Sequence, residues 1–455
     1  MKTEQTAFDF WLEEEREQDE ILNMLVDELV SSSDEEEPAS WGGSRPGKAK
    51  NKNRNFAAAY SKLVQDYFNG TESTYNEADF ERRFRMPRSV FTQLFDRING
   101  EGCFKQKRDC IGKQAGIHPL VRTVACLRHI CYGGAYDRED ENMRIGEETL
   151  RQAVKQFTRL VVEHFGEEYL NRCPSTEEKE KIFQANAERG FPGCFASWDC
   201  KHFVWHRCPM RWAGRHAGHA EGGKKTLILE ALADVNQYIW YSNFGDSGAL
   251  NDLNVLDKSS IVGSMVDGTF DITCPPYTVN GTERDWMYFL VDGIYYDWAV
   301  FVKTYSEPVD DKTKLFAKKQ EEVRKDVECA FGILVQKFHI LAKPLRNWFL
   351  EDIYYLLDCC VILHNMVIAA RGGNDIILSQ EEAAAEVVEN KNKQRRWTLF
   401  GGSATTDEVL AMDGVDIFAA RSGMFAGKMA SSREHFKLKN DLRQHLFTTM
   451  NSSII

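Results

Sequence analysis

Three carboxylates interrupt otherwise apolar text in this chain. Asp199 stands in Cys194-Phe-Ala-Ser-Trp-Asp-Cys-Lys-His-Phe-Val-Trp205, Asp292 in Tyr288-Phe-Leu-Val-Asp-Gly-Ile-Tyr295, and Glu328 in Asp326-Val-Glu-Cys-Ala-Phe-Gly332. A charge in apolar surroundings is costly unless something compensates it. Three such costs point to a shared partner, most simply bound divalent metal. Oxygen ligands with open positions suit magnesium, which keeps part of its water shell. Two such ions about 4 Å apart can activate an attacking oxygen and stabilise a leaving one, which is the chemistry of phosphodiester transfer.

Each acid also has a plainer reading. In a regular strand Ser197, Asp199, Lys201 and Phe203 share one face, and Trp198, Cys200 and His202 the other; Asp199 is then either a ligand or a strand-end acid bonded to a turn. Lys201 falls on the face of Asp199, and His202 does not. Asp292 follows the apolar run Trp286–Val291 and precedes Gly293, where open sheets present ligands, but Asp-Gly is also a common turn. Glu328 flanks the helical stripe Val323, Val327, Phe331, Leu334 and Phe338, and Asp326 flanks its opposite side, so periodicity does not separate them. Asp252, in Asn251-Asp-Leu-Asn-Val-Leu256, is a reserve ligand, with the N-cap of a helix over Leu253–Ser259 as the favoured reading.

Cys200, His202, His206 and Cys208 invite a zinc site, but their spacing is not that of paired Cys or His clusters in structural zinc sites. Lys201, Arg207, Arg211, Arg215, Lys224 and Lys225, together with Arg324, are candidate DNA contacts that would position phosphates without reading sequence.

The elements that must hold these residues follow from period and punctuation. Helical spacing runs through Ala57–Phe68, Glu77–Arg85, Arg88–Ile98, Leu120–Tyr132, Gly146–Phe165 and Thr176–Arg189. The block Arg82-Arg-Phe-Arg-Met-Pro-Arg88, with a helix starting at its proline, permits a helix-turn-helix-like DNA contact and equally a plain helical bundle. After Phe191 the text turns to strands: Gly193–Trp205, then Thr226–Asp234 and Tyr238–Phe244 around a Val-Asn-Gln turn, then Trp286–Val291. Long helical patterns return at Lys312–Ile340 and Asp352–Ala370, and an amphipathic one at Ser431–Leu446. The organisation expected is an acidic then basic tail over 1–55, a helical and all-α domain over 56–190, an α/β catalytic domain over 191–370, and a loosely structured insertion with a C-terminal helix over 371–455.

Charge is distributed unevenly. Residues 1–40 hold 14 acidic and 2 basic side chains, which account for the whole net charge of −12 and leave the remainder balanced at 55 against 55. Leu22, Leu25, Val26 and Leu29 form an apolar stripe in that acidic head, either a solvated tail or a partner-docking helix. Arg45, Lys48, Lys50, Lys52 and Arg54 read as a nuclear-import signal, a phosphate-binding arm or a polar linker. The start of the chain is unlike a signal peptide. Ile353–Ala370 is apolar but contains Asp358, His364 and Asn365, so a buried helix is expected rather than a bilayer one. Twelve scattered cysteines fit free thiols in a reducing compartment.

The motifs around the acids resemble the PIF/Harbinger transposase family, most closely its plant transposon protein branch. The resemblance is carried by Gly193–His202, Trp205-His-Arg-Cys-Pro209, Leu227-Ile-Leu-Glu-Ala-Leu-Ala233, Ile239-Trp-Tyr-Ser-Asn-Phe-Gly245, Asn251–Leu256, Tyr288–Tyr295, Arg324–Gly332 and Ile362-Leu-His-Asn-Met366. Phe80–Met86 and Arg433–Leu438 extend it. It implies an RNase H-like mixed sheet flanked by helices, with Asp199 on the first strand, Asp292 ending the fourth and Glu328 on a later helix. The 35 residues between Asp292 and Glu328 fit that pattern. It further implies a DDE-type endonuclease and transposase that cleaves transposon ends and transfers strands with two Mg2+, or Mn2+. It would act in the nucleus on double-stranded DNA, as an oligomer, with a separate Myb/SANT-like partner. Within the family motif the matching acid is Glu328 rather than Asp326. Cys329 stands where arginine is frequent. The alternative is a domesticated descendant serving as a chromatin or protein-interaction module without catalysis.

Overall fold

Residues 52, 54–100, 104, 106, 116–218, 222–266, 270–372 and 431–452 are described by the computed structural model. The acidic head, most of the basic run and the insertion before residue 431 lie outside the described residues. Of the basic run, Arg54 is described, and it forms a two-pronged pair with Asp140 at 2.7 and 2.8 Å.

Periodic apolar text gives helices on the N-terminal side. α1 (Phe56–Leu63) continues through a π turn, Val64–Phe68, and is followed by α2 (Glu77–Phe84), α3 (Arg88–Gly100), α4 (Pro119–Tyr132), α5 (Arg138–Met143), α6 (Glu147–Tyr169) and α7 (Thr176–Glu188). Asn76 caps α2, and a reciprocal Ser175–Glu178 box opens α7, satisfying backbone donors that a helix start leaves unpaired. The basic block at 82–88 turns largely inward: Arg83 lies over the Tyr75 ring, and Arg88 lies over Phe80 and bonds Glu77.

The strand text opens with β1 (Cys194–Val204). After a short helix, α8 (Ala213–His216), come β2 (Thr226–Ala233) and β3 (Ile239–Ser247), then α9 (Asp252–Leu256) and α10 (Ser260–Val266). A hairpin of β4 (Thr273–Val279) and β5 (Thr282–Trp286) precedes β6 (Tyr288–Val291) and β7 (Phe301–Lys303). Five strands form one mixed sheet in the order β3-β2-β1-β6-β7. β1, β2 and β3 run antiparallel in turn, whereas β6 is parallel to β1 and β7 to β6. Every residue of β2 is buried. That is why its text reads as a nearly unbroken apolar run, as in a strand covered on both faces.

α11 (Asp311–Lys337), α12 (Leu350–Ala370) and α13 (Ser432–Ser452) complete the fold. One core gathers Tyr288, Leu290 and Val302 of the sheet with Phe316 and Val323 of α11 and Leu438, Leu442 and Leu446 of α13. Another gathers Trp198, Phe289 and Phe301 with residues from α7, α9 and α10. α12 is long and apolar enough to cross a membrane by composition, yet 72% of its most apolar window is buried in this fold. It lies along α6, with Lys155 paired to Asp352 at 2.5 Å and Arg159 to Glu351 at 3.0 Å.

The Ile362-Leu-His-Asn-Met366 text explains how α12 is fastened. Asn365 Nδ2 donates to the carbonyls of Tyr169 and Ile239, both at 2.8 Å, and its Oδ1 accepts from Ile239 N at 3.0 Å. His364 Nε2 contacts the Gln237 carbonyl at 2.9 Å. Two adjacent polar residues in an apolar helix thus satisfy the turn and edge of β3, where unpaired backbone groups would otherwise be buried. The ten described cysteines are all free.

A candidate active site at the ends of two parallel strands

Register brings the first two acids together. Ser197 of β1 faces Leu290 of β6 in a parallel pair, so two residues further along Asp199 is set beside Asp292. Neighbouring strands lie about 4.8 Å apart, and residues in register on parallel strands point to the same side. That side is covered by α11: Ser197 Oγ donates to the Val323 carbonyl at 3.1 Å, and Leu290 packs in the core with Val323. Trp198 takes the opposite face, its Nε1 donating to Glu230 Oε1 at 3.0 Å. The alternation expected along this strand is the one observed.

Arg324 joins the next pair. Its Nη1 lies 3.1 Å from Asp199 Oδ2 and its Nη2 lies 2.7 Å from Glu328 Oε1. All three side chains are mostly shielded, at 13%, 18% and 17% exposure for Arg324, Asp199 and Glu328. Gln320, Arg324 and Glu328 recur every fourth residue and so share a helix face. Gln320 is fully buried, and its Nε2 donates to the Val291 and Val302 carbonyls at 3.1 Å each. It therefore pins α11 to the strand end one residue before Asp292. Asp326 turns elsewhere, to Arg189 at 2.5 and 3.0 Å. The symmetry that periodicity left between Asp326 and Glu328 is broken by these two arginines.

Asp252 departs from its expected role. The cap of α9 is Asn251, whose side chain accepts from Asn254 N, and Asp252 is the first helical residue. Asparagine and aspartate cap about equally well, so adjacent candidates cannot be ranked by type. Burial holds the Asp252 pKa above the ordinary carboxylate value, with Asp292 adding to the rise and His202 and a hydrogen bond with Cys200 opposing it.

Electrostatics record the crowding. Burial pushes Asp199 up to about 7; Arg324 and the Cys200 N–H oppose this, and Glu328 and Asp252 add to it. Burial works against the Arg324 charge, but Asp199, Glu328 and Asp292 overcome it and hold its pKa above the ordinary value. Asp292 is exposed, with Oδ1 accepting from Gly293 N at 2.7 Å. Behind the cluster Glu230 is pushed up to about 8, chiefly by burial, and its position opposite Cys200 in the β1–β2 register sets it on the Trp198 face.

Arg207, Arg211, Arg215, Lys224 and Lys225 are exposed on the β1–β2 connection, and Lys201 is half-buried on β1. Arg324 is turned to carboxylates. The four residues considered for zinc go separate ways. Cys200 Sγ stands 3.8 Å from Tyr295 OH, His202 Nδ1 lies 3.0 Å from Thr226 Oγ1, His206 is exposed, and Cys208 Sγ faces the Pro209 carbonyl at 3.6 Å.

Carboxylate oxygens are the donors that hard divalent ions take. Three acids around one guanidinium, Asp199, Asp292 and Glu328, leave the cluster short of positive charge. In donor type and charge the residues fit such an ion. Among the described residues no three His, Cys, Asp or Glu side chains are close enough to share one, and between Asp199 and Glu328 the cation is Arg324. Gln320 and the bridging use of Arg324 were not signalled by sequence, beyond a polar residue recurring on one edge of an apolar helix.

Residues 167–375 match the family described as plant transposon protein, and this segment contains Asp199, Asp252, Asp292 and Glu328. Residues 60–99 match a family described only as a domain of unknown function. No curated protein and no solved structure matches the chain. The chain is thus similar to a transposon-related family over the segment that carries its acid cluster.

Proposed function

We propose that this chain is a DNA transposase and endonuclease of the DDE type, with an RNase H-like catalytic domain. The observation that supports it best is the convergence of Asp199 and Glu328 on Arg324, with Asp292 in register beside Asp199 on the neighbouring parallel strand. The three acids come from β1, the end of β6 and α11, far apart in sequence. The order β3-β2-β1-β6-β7, antiparallel on one side of β1 and parallel on the other, supports the RNase H-like reading.

Divalent metal, as two Mg2+ or Mn2+ held by Asp199, Asp292 and Glu328 with Asp252 in reserve, would supply activation of the attacking oxygen and stabilisation of the leaving one. The rest of the work falls to the chain. Gln320 fixes α11 against the strand ends, and Arg324 neutralises and orients two of the acids. Exposed Arg207, Arg211, Arg215, Lys224 and Lys225, with Lys201, hold DNA phosphates and set the duplex against the cluster. In this reading the protein acts in the nucleus on transposon ends and target DNA, as an oligomer with a Myb/SANT-like partner.

One observation favours a second reading, a non-catalytic chromatin or protein-interaction module: an acid pair already satisfied by Arg324 needs no metal. The two are separated with a labelled duplex carrying terminal inverted repeats, to be sought in the DNA that flanks the coding region. Metal-dependent nicking and joining by the wild type, lost in Asp199→Ala and Glu328→Ala, supports the transposase. Absence of nicking by the wild type favours the module, and nicking without joining a plain nuclease.

A further inference from the structure

A cavity of about 340 Å3 opens among the N-terminal helices, lined from α1, its π-turn extension, α2, α4 and α5. It shares no residue with the acid cluster. Four cations line it, Lys62, Arg83, Arg128 and Arg138, and among its described lining residues Asp66 is the only carboxylate. Four like charges around one cavity repel one another unless an anion joins them.

The local acids do not supply enough. Glu139 stands 3.5 Å from Arg128 Nε, and that nitrogen has no hydrogen-bond partner. Asp140 is taken by Arg54. Lys62 and Arg138 are exposed and pair with no carboxylate among the described residues. Phenol rings fill the spaces between. Arg128 and Arg138 lie 5.6 and 5.5 Å from the Tyr132 ring centre. Arg83 lies 3.7 Å from that of Tyr75, which stacks on Tyr67 at 5.0 Å and 27°.

A phosphoryl group matches this arrangement better than a carboxylate does. It offers several acceptor oxygens to guanidinium forks and to a lysine point charge. The volume lies at the lower end of small-ligand sites, about 300–1,000 Å3, which admits a mononucleotide or a strand terminus but not a duplex. Tyrosine and arginine planes are surfaces on which nucleic-acid bases stack. We propose that this cavity is a nucleotide-binding site, with Lys62, Arg128 and Arg138 on the phosphoryl group and the base against the Tyr67–Tyr75 and Arg83 wall. This stands independently of the chemistry proposed for Asp199, Asp292 and Glu328.

Calorimetry on the full chain tests it with deoxyadenosine monophosphate, deoxyadenosine and inorganic phosphate as probes. The monophosphate is expected to bind at one site, more tightly than inorganic phosphate, and deoxyadenosine to bind weakly. Lys62→Gln/Arg138→Gln removes two charges without touching an ion pair among the described residues and should weaken the monophosphate about tenfold or more. Asp199→Asn should leave that affinity unchanged. A 5′-phosphorylated single strand that competes with the monophosphate, when its 5′-hydroxyl counterpart does not, identifies a strand end as the source; competition by neither identifies a free nucleotide. No binding of the monophosphate, affinity unchanged in Lys62→Gln/Arg138→Gln with a wild-type melting curve, or affinity abolished by Asp199→Asn would overturn the proposal.

Discussion

Arg324 and Glu328 stand one turn apart on α11, and their 2.7 Å contact continues across the Arg324 guanidinium to Asp199 of β1 at 3.1 Å. A helix and a strand are therefore locked by one cation shared between two shielded acids. Removing that cation leaves two carboxylates facing each other, at a cost of about 3 kcal/mol for a broken shielded pair. Arg324→Ala is expected to melt well below the wild type. Mn2+ should then raise the melting temperature of Arg324→Ala more than that of the wild type. Equal shifts in both proteins would separate the acids from metal binding.

Asp326 and Glu328 differ by two residues and serve different partners. Asp326→Asn weakens the tie to Arg189 and should lower stability by about 1–3 kcal/mol while leaving metal-dependent nicking in place. Glu328→Gln should abolish nicking while the fold persists. Denaturant titration together with a nicking assay reads both effects, and loss of nicking in Asp326→Asn at full folding would reverse the assignment.

Asn365 carries three hydrogen bonds to backbone groups of α6 and β3 from a fully buried site. Asn365→Ala strips the Ile239 N–H and C=O of their partner, which costs about 2–4 kcal/mol for groups left unsatisfied. Hydrogen exchange should quicken first in β3 and the turn before it. Uniform acceleration across the whole sheet would show instead that α12 and β3 do not open as a unit.

Lys337 and His364 give a pH dependence of definite sign. Burial pushes Lys337 from 10.5 down to about 7, so between those values the unfolded chain binds the extra proton and stability rises with pH. Burial, with Lys337 beside it, holds His364 well below 6.5, so stability falls further as pH drops through 6.5. The steepest slope from one such group is about 1.4 kcal/mol per pH unit. The wild-type urea midpoint, taken relative to that of Lys337→Met, should climb between pH 7 and 10, because raised carboxyls such as Asp199 and Glu230 titrate alike in both proteins and cancel in the difference. Parallel curves for the two proteins would remove Lys337 from the explanation.

Much of this was legible in the text because period survives into structure. The strand carrying Asp199 and the alternation of Ser197, Trp198 and Asp199 across it followed from side-chain geometry, as did the long helix carrying Glu328. Other parts left weaker traces. β7 spans only Phe301–Lys303, too short to show alternation, and α5 is charged text without an apolar stripe. Asn251 and Asp252 are equivalent as caps until one of them bonds Asn254 N. Asp326 and Glu328 sat symmetrically about one stripe, and only arginines 137 residues upstream and one turn away could divide them. Gln320 carries no signal in the text, since nothing local shows that the Val291 and Val302 carbonyls will be presented to it.

The most direct measurement is cleavage of a duplex ending in inverted repeats identified from the flanking DNA, with Mg2+ or Mn2+, by the wild type, Asp199→Asn, Asp292→Asn and Glu328→Gln at matched folding. Nicking by the wild type and a loss of about a hundredfold or more in each variant, the scale seen when a group stabilising transition-state charge is removed, is the expected result. Nicking that persists in all three variants would contradict an active site built from those acids.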